Sequence, residues 1–212
     1  MKLLSINTSG SLPVEYQGKI ISTGIFKKPI TGPVYVAKDH LQGDQQADLK
    51  HHGGEHKAVY AFSFDHYAYW SKILKKEPLN KGIFGENLTI SGFDEGSLHI
   101  GDQLRIGKCL LEITQPRVPC HKLGLAVGNK NMPRLFIEHF ATGIYMRVLK
   151  EGFIEAGDEL IVSYQNPFKV SVKSLFRAVY DKNFDQAEQL IATAKQIPEL
   201  SQEWQKKIAS IR

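Results

Sequence analysis

Apolar positions along this chain follow two regimes, with the change near residue 166. Before it, hydrophobic runs are short, alternate with polar residues and are bounded by Gly, Pro, Asn or Asp. That is the pattern of strands in a closed or nearly closed antiparallel sheet. It predicts strands over 3–7, 19–26, 34–37, 57–63, 88–90, 103–106, 110–114, 144–149 and 159–163, with helices only over 65–74 and 132–140. Two stretches echo each other, Leu98-His-Ile-Gly-Asp-Gln-Leu and Phe153-Ile-Glu-Ala-Gly-Asp-Glu-Leu. Each reads as a Gly-Asp turn feeding a strand. The expected architecture is mainly β: a β-barrel over residues 1–165 with peripheral helices.

After Asn166-Pro167 the period becomes helical. Val172, Leu175, Phe176 and Val179 form one stripe, Phe184, Ala187, Leu190, Ile191 and Ala194 a second, and Leu200, Trp204, Ile208 and Ile211 a third. Asn183 followed by Gln186 resembles a capping box for the second segment. Residues 168–212 are therefore expected to form a three-helix bundle, too slight to stand alone, packed on the barrel or on a partner.

Composition narrows the classes. With 42% hydrophobic and 23% charged residues in 212, and 11 Phe, 8 Tyr and 2 Trp for a core, the chain is an ordinary globular one. The net charge of +5 is spread without a Lys/Arg block, which favours a small anionic ligand over a nucleic-acid polymer. The amino-terminal apolar run is too short for a signal peptide, and no run approaches the roughly 20 residues of a membrane span. Two cysteines make no disulfide framework, so a reducing cytoplasm is expected.

The chemistry concentrates in a few short stretches. In Gln115-Pro-Arg-Val-Pro-Cys-His-Lys-Leu-Gly, Cys120 follows a rigid proline and has Arg117, His121 and Lys122 beside it, neighbours that favour thiolate over thiol. A thiolate there serves as nucleophile, redox centre or soft metal ligand, or is a loop cysteine without a role. Cys109, in an apolar strand, reads as core. His52 and His56 have the spacing of a helical zinc pair, but Gly53 and Gly54 between them disfavour a helix. The glycines better suit a tight loop whose amides approach a ligand, or else a solvated basic loop. In Gly82-Ile-Phe-Gly-Glu-Asn-Leu, Glu86 and Asn87 offer hydrogen bonds to a heterocycle edge, or make a plain turn. Phe26-Lys-Lys-Pro offers Lys28 to a phosphate, with an ordinary basic loop as the alternative. The aromatic group Tyr60, Phe62, Phe64, Tyr67, Tyr69 and Trp70 reads as packing.

Four of these stretches in order, Gly43-Asp44-Gln-Gln-Ala-Asp-Leu-Lys-His-His-Gly-Gly, Phe84-Gly-Glu-Asn-Leu, Ile100-Gly-Asp and Gln115-Pro-Arg-Val-Pro-Cys-His-Lys-Leu, resemble the MOSC domain, in its YiiM-type branch with a three-helix extension. The resemblance implies a β-barrel that binds the molybdenum cofactor (Mo-molybdopterin), with Cys120 as molybdenum ligand. It implies reduction of N-hydroxylated compounds, such as hydroxylaminopurine base analogues, to amines. By motif position Arg117 would neutralise cofactor charge, Lys28 and Lys122 would assist, Gly53, Glu86 and Asn87 would bind the cofactor, and His52 would supply or relay protons. His121 is not required by the family. No cysteine set for an iron–sulfur cluster and no flavin fingerprint is present, so a separate electron-donating reductase is implied. A non-catalytic cofactor carrier and a cysteine-based sulfur transferase are the alternatives, the latter ranked last.

Overall fold

The computed structural model describes residues 1–45 and 53–211. The chain runs β1 (Lys2–Thr8), β2 (Leu12–Tyr16), β3 (Lys19–Thr23), β4 (Lys28–Ile30) and β5 (Val34–Val36), then a 3-10 turn at Glu55–Lys57 and β6 (Val59–Ser63). A second 3-10 turn, Phe64–His66, leads into α1 (Tyr67–Leu74), followed by β7 (Leu88–Ser91), β8 (Gln103–Ile106) and β9 (Cys109–Pro116). Helices α2 (His121–Val127) and α3 (Met132–His139) precede β10 (Ile144–Lys150), β11 (Gly152–Ile154) and β12 (Leu160–Tyr164). Three helices close the described chain: α4 (Val172–Tyr180), α5 (Ala187–Ala194) and α6 (Gln202–Ala209).

Eight strands make one sheet in the order β12-β8-β9-β10-β6-β7-β1-β4, and β11-β5 and β2-β3 are separate two-stranded pairs. Every neighbour in the large sheet is antiparallel except β6 and β7. The sheet is open, not the closed barrel expected from the pattern. It curls until the start of β1 meets the start of β12, where Lys2 bridges Glu159 and the Leu3 and Leu160 amides donate to Asp158 O and Met1 O, but β12 and β4 do not pair with each other. The far edge ends for a physical reason: β4 is three residues long with Pro29 in its centre, and proline has no N–H to donate to a further strand.

The carboxy-terminal stripes bury as predicted, yet they do not assemble a three-helix bundle. Val172, Leu175 and Phe176 of α4, Ile191 of α5 and Trp204 and Ile208 of α6 belong to the same buried cluster as Leu3, Val59, Leu111 and Ile144 of the sheet. Helix α4 packs on α5 and on β9, so the stripes close one shared core with the sheet instead of a separate bundle. The expected capping box is also absent. Gln186 caps α5 without a side-chain hydrogen bond, and the Asn183 N–H donates to Asp181 instead. Ser171 and Ser201 are the working caps, accepting from the amides of Ser174 and Trp204.

The echoed Gly-Asp stretches prove to be one turn used twice. Gly101 and Gly157 have φ of 84° and 105°. Asp102 accepts from the His99 amide at 2.9 Å, and Asp158 accepts from the Glu155 amide at 2.8 Å. The first turn feeds β8 and the second β12, and these strands pair antiparallel. Asp102 also accepts from the Asn166 amide just past β12. Gly107, just past β8, lies so close to the second turn that an added Cβ would meet Asp158 Oδ2 at 2.9 Å.

A second apolar cluster lies beside the first: Tyr60, Phe62, Tyr67, Trp70, Phe84, Leu123, Val127, Met132 and Phe136. At its rim His139 stacks on Tyr69 at 4.4 Å and meets His66 edge-on, and His66 is 3.1 Å from Glu95. Burial, with the charge of His66 added, pushes the His139 pKa from 6.5 down to about 4.

Two measurements follow from this packing. Trp204 is fully buried, and Trp204→Ala should cost about 3–5 kcal/mol of unfolding free energy by urea titration. His139 is neutral when folded and accepts a proton more readily when unfolded. Stability is therefore full above pH 6.5 and declines as pH falls towards about 4, where the loss levels off. His139→Gln should flatten that decline in urea midpoints taken across the window.

Candidate functional site

The site forms where β6, β9 and β10 end together. Strand β6 is buried along its whole length, and its Tyr60 pairs across the ladder with Tyr145 of β10, so both rings stand on one face, 5.1 Å apart. Arg117 directly follows β9, and its amide donates to Gly143 O at 3.2 Å. Gly143, with φ of 84°, permits this approach: a Cβ there would meet Ala61 O at 2.5 Å and the Tyr60 ring at 2.6 Å. Val118 and Pro119 then carry the chain to Cys120, the extended residue before α2.

These residues open onto a cleft with about 700 Å³ of empty space, part of it facing solvent. Among the described residues that line it, Arg117, Lys27, Lys57 and Lys122 are cationic and Asp44 is the sole acid. Cys120 is half-exposed beside them, whereas Cys109 is buried with its Sγ 3.1 Å from Gly152 O. Burial pushes the Cys109 thiol up to about 11, in keeping with a core residue. Two neighbours expected to act on Cys120 part ways: Lys122 lines the cleft, while His121 is exposed and stacks on Tyr16 of the β2–β3 hairpin at 4.6 Å.

Arg117 has the most unusual setting. It is 5% exposed, with Nη1 donating to the Tyr60 hydroxyl at 3.1 Å and the guanidinium 4.7 Å from the Tyr60 ring and 5.8 Å from that of Phe136. No carboxylate among the described residues lies within ion-pair distance of it. Withdrawing an ion from water costs several kcal/mol, and two ring contacts return about 1–4 kcal/mol. Burial disfavours the charge, and Tyr60, Tyr145 and Cys120 together more than offset that. Tyr60 is committed to this arrangement, since its hydroxyl donates to Thr142 O at 2.8 Å.

On the opposite wall, buried Lys27 is paired with Asp44. Burial depresses the Lys27 pKa, and the Asp44 charge works against that depression. Asp44 is held in turn by the Ser9 amide and by Asn87 Nδ2, both at 2.9 Å. Asn87 Oδ1 accepts from the Tyr60 amide at 3.1 Å, so its side chain spans both walls. Asn87 lines the cleft with its amide already engaged.

Glu86 lies elsewhere than its expected role requires. It is fully buried, and its carboxylate accepts from Gly82 N at 2.7 Å, Phe84 N at 3.1 Å, Thr89 Oγ1 at 2.8 Å and the Tyr67 hydroxyl. The loop folds around its own acid, away from the cleft. Lys28 is exposed on β4 and faces a neighbouring groove with Pro29 and Phe64. Lys27, one position earlier, is the lysine brought to the cleft. Gly53 is half-buried and does not line it, Gly54 takes the positive φ of 94° before the 3-10 turn, and His52 lies outside the described residues. The sequence reading passed over Lys27, Lys57, Asp44, Tyr60 and Tyr145. For Tyr145 the available signal was its place in the expected strand over 144–149; for Lys27 there was none that separated it from Lys28. No group of three or more His, Cys, Asp or Glu gathers as a metal site among the described residues.

Residues 48–161 match the MOSC domain. The chain belongs to the MOSC family. Over 204 residues, 95% of this chain and 90% of the relative, it is 37% identical to the uncharacterized protein YflK of Bacillus subtilis. Over 85% of its length it is 32% identical to a Gibberella moniliformis protein named reductase, of which it covers only 32%. The MOSC chain is also similar to the crystal structure of YiiM from Geobacillus stearothermophilus, with a TM-score of 0.80, 28% identity and coverage of 98% and 97%. It is a MOSC protein of the YiiM type, and no helix among its described residues is long and apolar enough to cross a membrane.

The Tyr60–Arg117 bond supplies the test of this geometry. Tyr60→Phe strips a buried guanidinium of a neutral acceptor and removes the donor to Thr142 O. It should cost about 1–3 kcal/mol by urea titration, and more at low salt than with phosphate added to fill the cleft.

Proposed function

We propose that this MOSC protein binds the molybdenum cofactor and reduces N-hydroxylated compounds, hydroxylaminopurine bases among them, to the corresponding amines. The observation that carries the reading is the buried Arg117, a cation without a carboxylate partner among the described residues, beside a half-exposed Cys120. The residues fit such a group: a soft sulfur donor for the metal stands next to a cationic pocket for the phosphate-bearing pterin. A relative named reductase supports a redox activity.

When bound, the cofactor supplies the two-electron chemistry that removes oxygen from an N–OH group. The chain's own residues do the rest. Cys120 gives the metal its protein ligand. Arg117 and Lys122 balance the anionic charge, and Lys27 stands on the far wall with Asp44 fixing its position. The Tyr60, Phe62 and Phe136 rings behind Arg117 keep water from its inner face and so strengthen its field. His52 remains the proposed proton relay. Two electrons and two protons convert each R–NHOH to R–NH2 and water, and the electrons come from a separate reductase.

Protein made in cells competent for cofactor synthesis should contain molybdenum in proportion to chain, and Cys120→Ala should reduce it to background by elemental analysis. Equal, negligible metal in both would overturn the proposal. Retained molybdenum with no amine formed from hydroxylaminopurine, under an artificial electron donor, would favour a carrier instead.

A further inference from the structure

The carboxy-terminal helices do more than cover the sheet. Lys57 ends the 3-10 turn at the cleft, its side chain 10% exposed, and one of its partners is Glu203 in the first turn of α6, which is 43% exposed. The Lys57 ammonium stands 6.0 Å from the Tyr145 ring centroid. Tyr145 lines the cleft beside Arg117 and Cys120, and Glu203 belongs to the charges that bear on its hydroxyl.

A second, independent anchor brings α6 to the same place. Thr114 of β9 has its hydroxyl 2.6 Å from His56 O, the residue before Lys57, and 3.1 Å from Tyr145 O. Its own carbonyl accepts from the amide of Ser201, the cap of α6, at 3.1 Å. One threonine thus ties together the turn that carries Lys57, the strand that carries Tyr145 and the helix that carries Glu203. A helix fixed so close to a cleft, with its acid directed to a cleft lysine, sets how much of that lysine's charge the cleft receives.

We propose that Glu203 is a positioning residue of the candidate site: it holds Lys57 against Tyr145 and withholds part of its charge from the pocket of Arg117 and Cys120. This rests on reading the cleft as an anion site. On that reading, the extension tunes anion affinity, keeping Lys57 in reserve while Arg117 carries the fixed charge.

The test uses Cys120 as a probe of local potential in the full chain. Alkylation by anionic iodoacetate and neutral iodoacetamide is followed at low ionic strength, with modification assigned to Cys120 by peptide mass. The ratio of the two rates cancels the thiolate fraction common to both reagents and reports the positive field at the sulfur. The wild-type ratio should exceed that of a free cysteine peptide; a ratio no higher would overturn the anion-site reading itself. With that ratio elevated, Glu203→Gln should raise it about threefold further and Lys57→Met should lower it by a similar factor. In the Lys57→Met background, Glu203→Gln should have almost no effect, because Glu203 acts through the lysine. Glu203→Asp should restore most of the wild-type value. An unchanged ratio in Glu203→Gln, or the same change in both backgrounds, would overturn the positioning role and leave the anion-site reading standing.

Discussion

A guanidinium buried against aromatic rings, with no carboxylate in ion-pair distance among the described residues, is the constraint that organises this molecule. Arg117 can sit there only because Tyr60 offers both a ring and a hydroxyl, and Tyr60 is placed by its ladder pairing with Tyr145 and by Asn87. Asn87 holds Asp44, and Asp44 holds Lys27. The two walls of the cleft are thus connected through one amide side chain. Because the aromatic cluster excludes water behind Arg117, its charge is expressed towards the cleft, which Cys120 also lines.

That arrangement divides labour among the polar residues. Glu86 and Asn87 are adjacent and both buried, yet one shapes its own loop and the other joins the two walls. Gly85, where a Cβ would meet Ile25 at 2.8 Å, lets that loop press against the segment carrying Lys27. Positions that face a ligand in a motif are therefore not all positions that touch one. Here a turn acid is consumed by four internal donors, and the recognition surface falls to residues brought in from distant strands.

Much of this was legible in the sequence. Nine strand segments announced themselves by short apolar runs with turn residues between them, because burial of β strands leaves that alternation. Strands β2, β4 and β11 escaped, being exposed or only three to five residues long, with too little burial to leave a pattern. Helix α2 escaped because a seven-residue helix holding Gly124 has no full stripe. The ends of the sheet were not visible either, since closure depends on Pro29 lying at an edge, which register decides. Cys120 and Arg117 stand out because an unusual cluster of charge and sulfur is local. Lys27 and Lys28 are neighbours of identical type, and only strand parity separates them. Tyr60 and Tyr145 lie 85 positions apart and meet through a ladder that no short motif encodes.

The twice-used Gly-Asp turn has a consequence for the open edge of the sheet. Each turn starts one strand of the β8–β12 pair and lies at the far end of the other, through Asn166 in one case and Gly107 in the other. The Asn166–Asp102 hydrogen bond fixes one end and the close fit of Gly107 at Asp158 the other, so β12 cannot slide by a residue without losing both. An outermost strand fixed in this way makes a poor template for a stranger's backbone. The turn aspartates shape the strand's two ends, and Met1 and Leu3 hydrogen-bond to the backbone at its start.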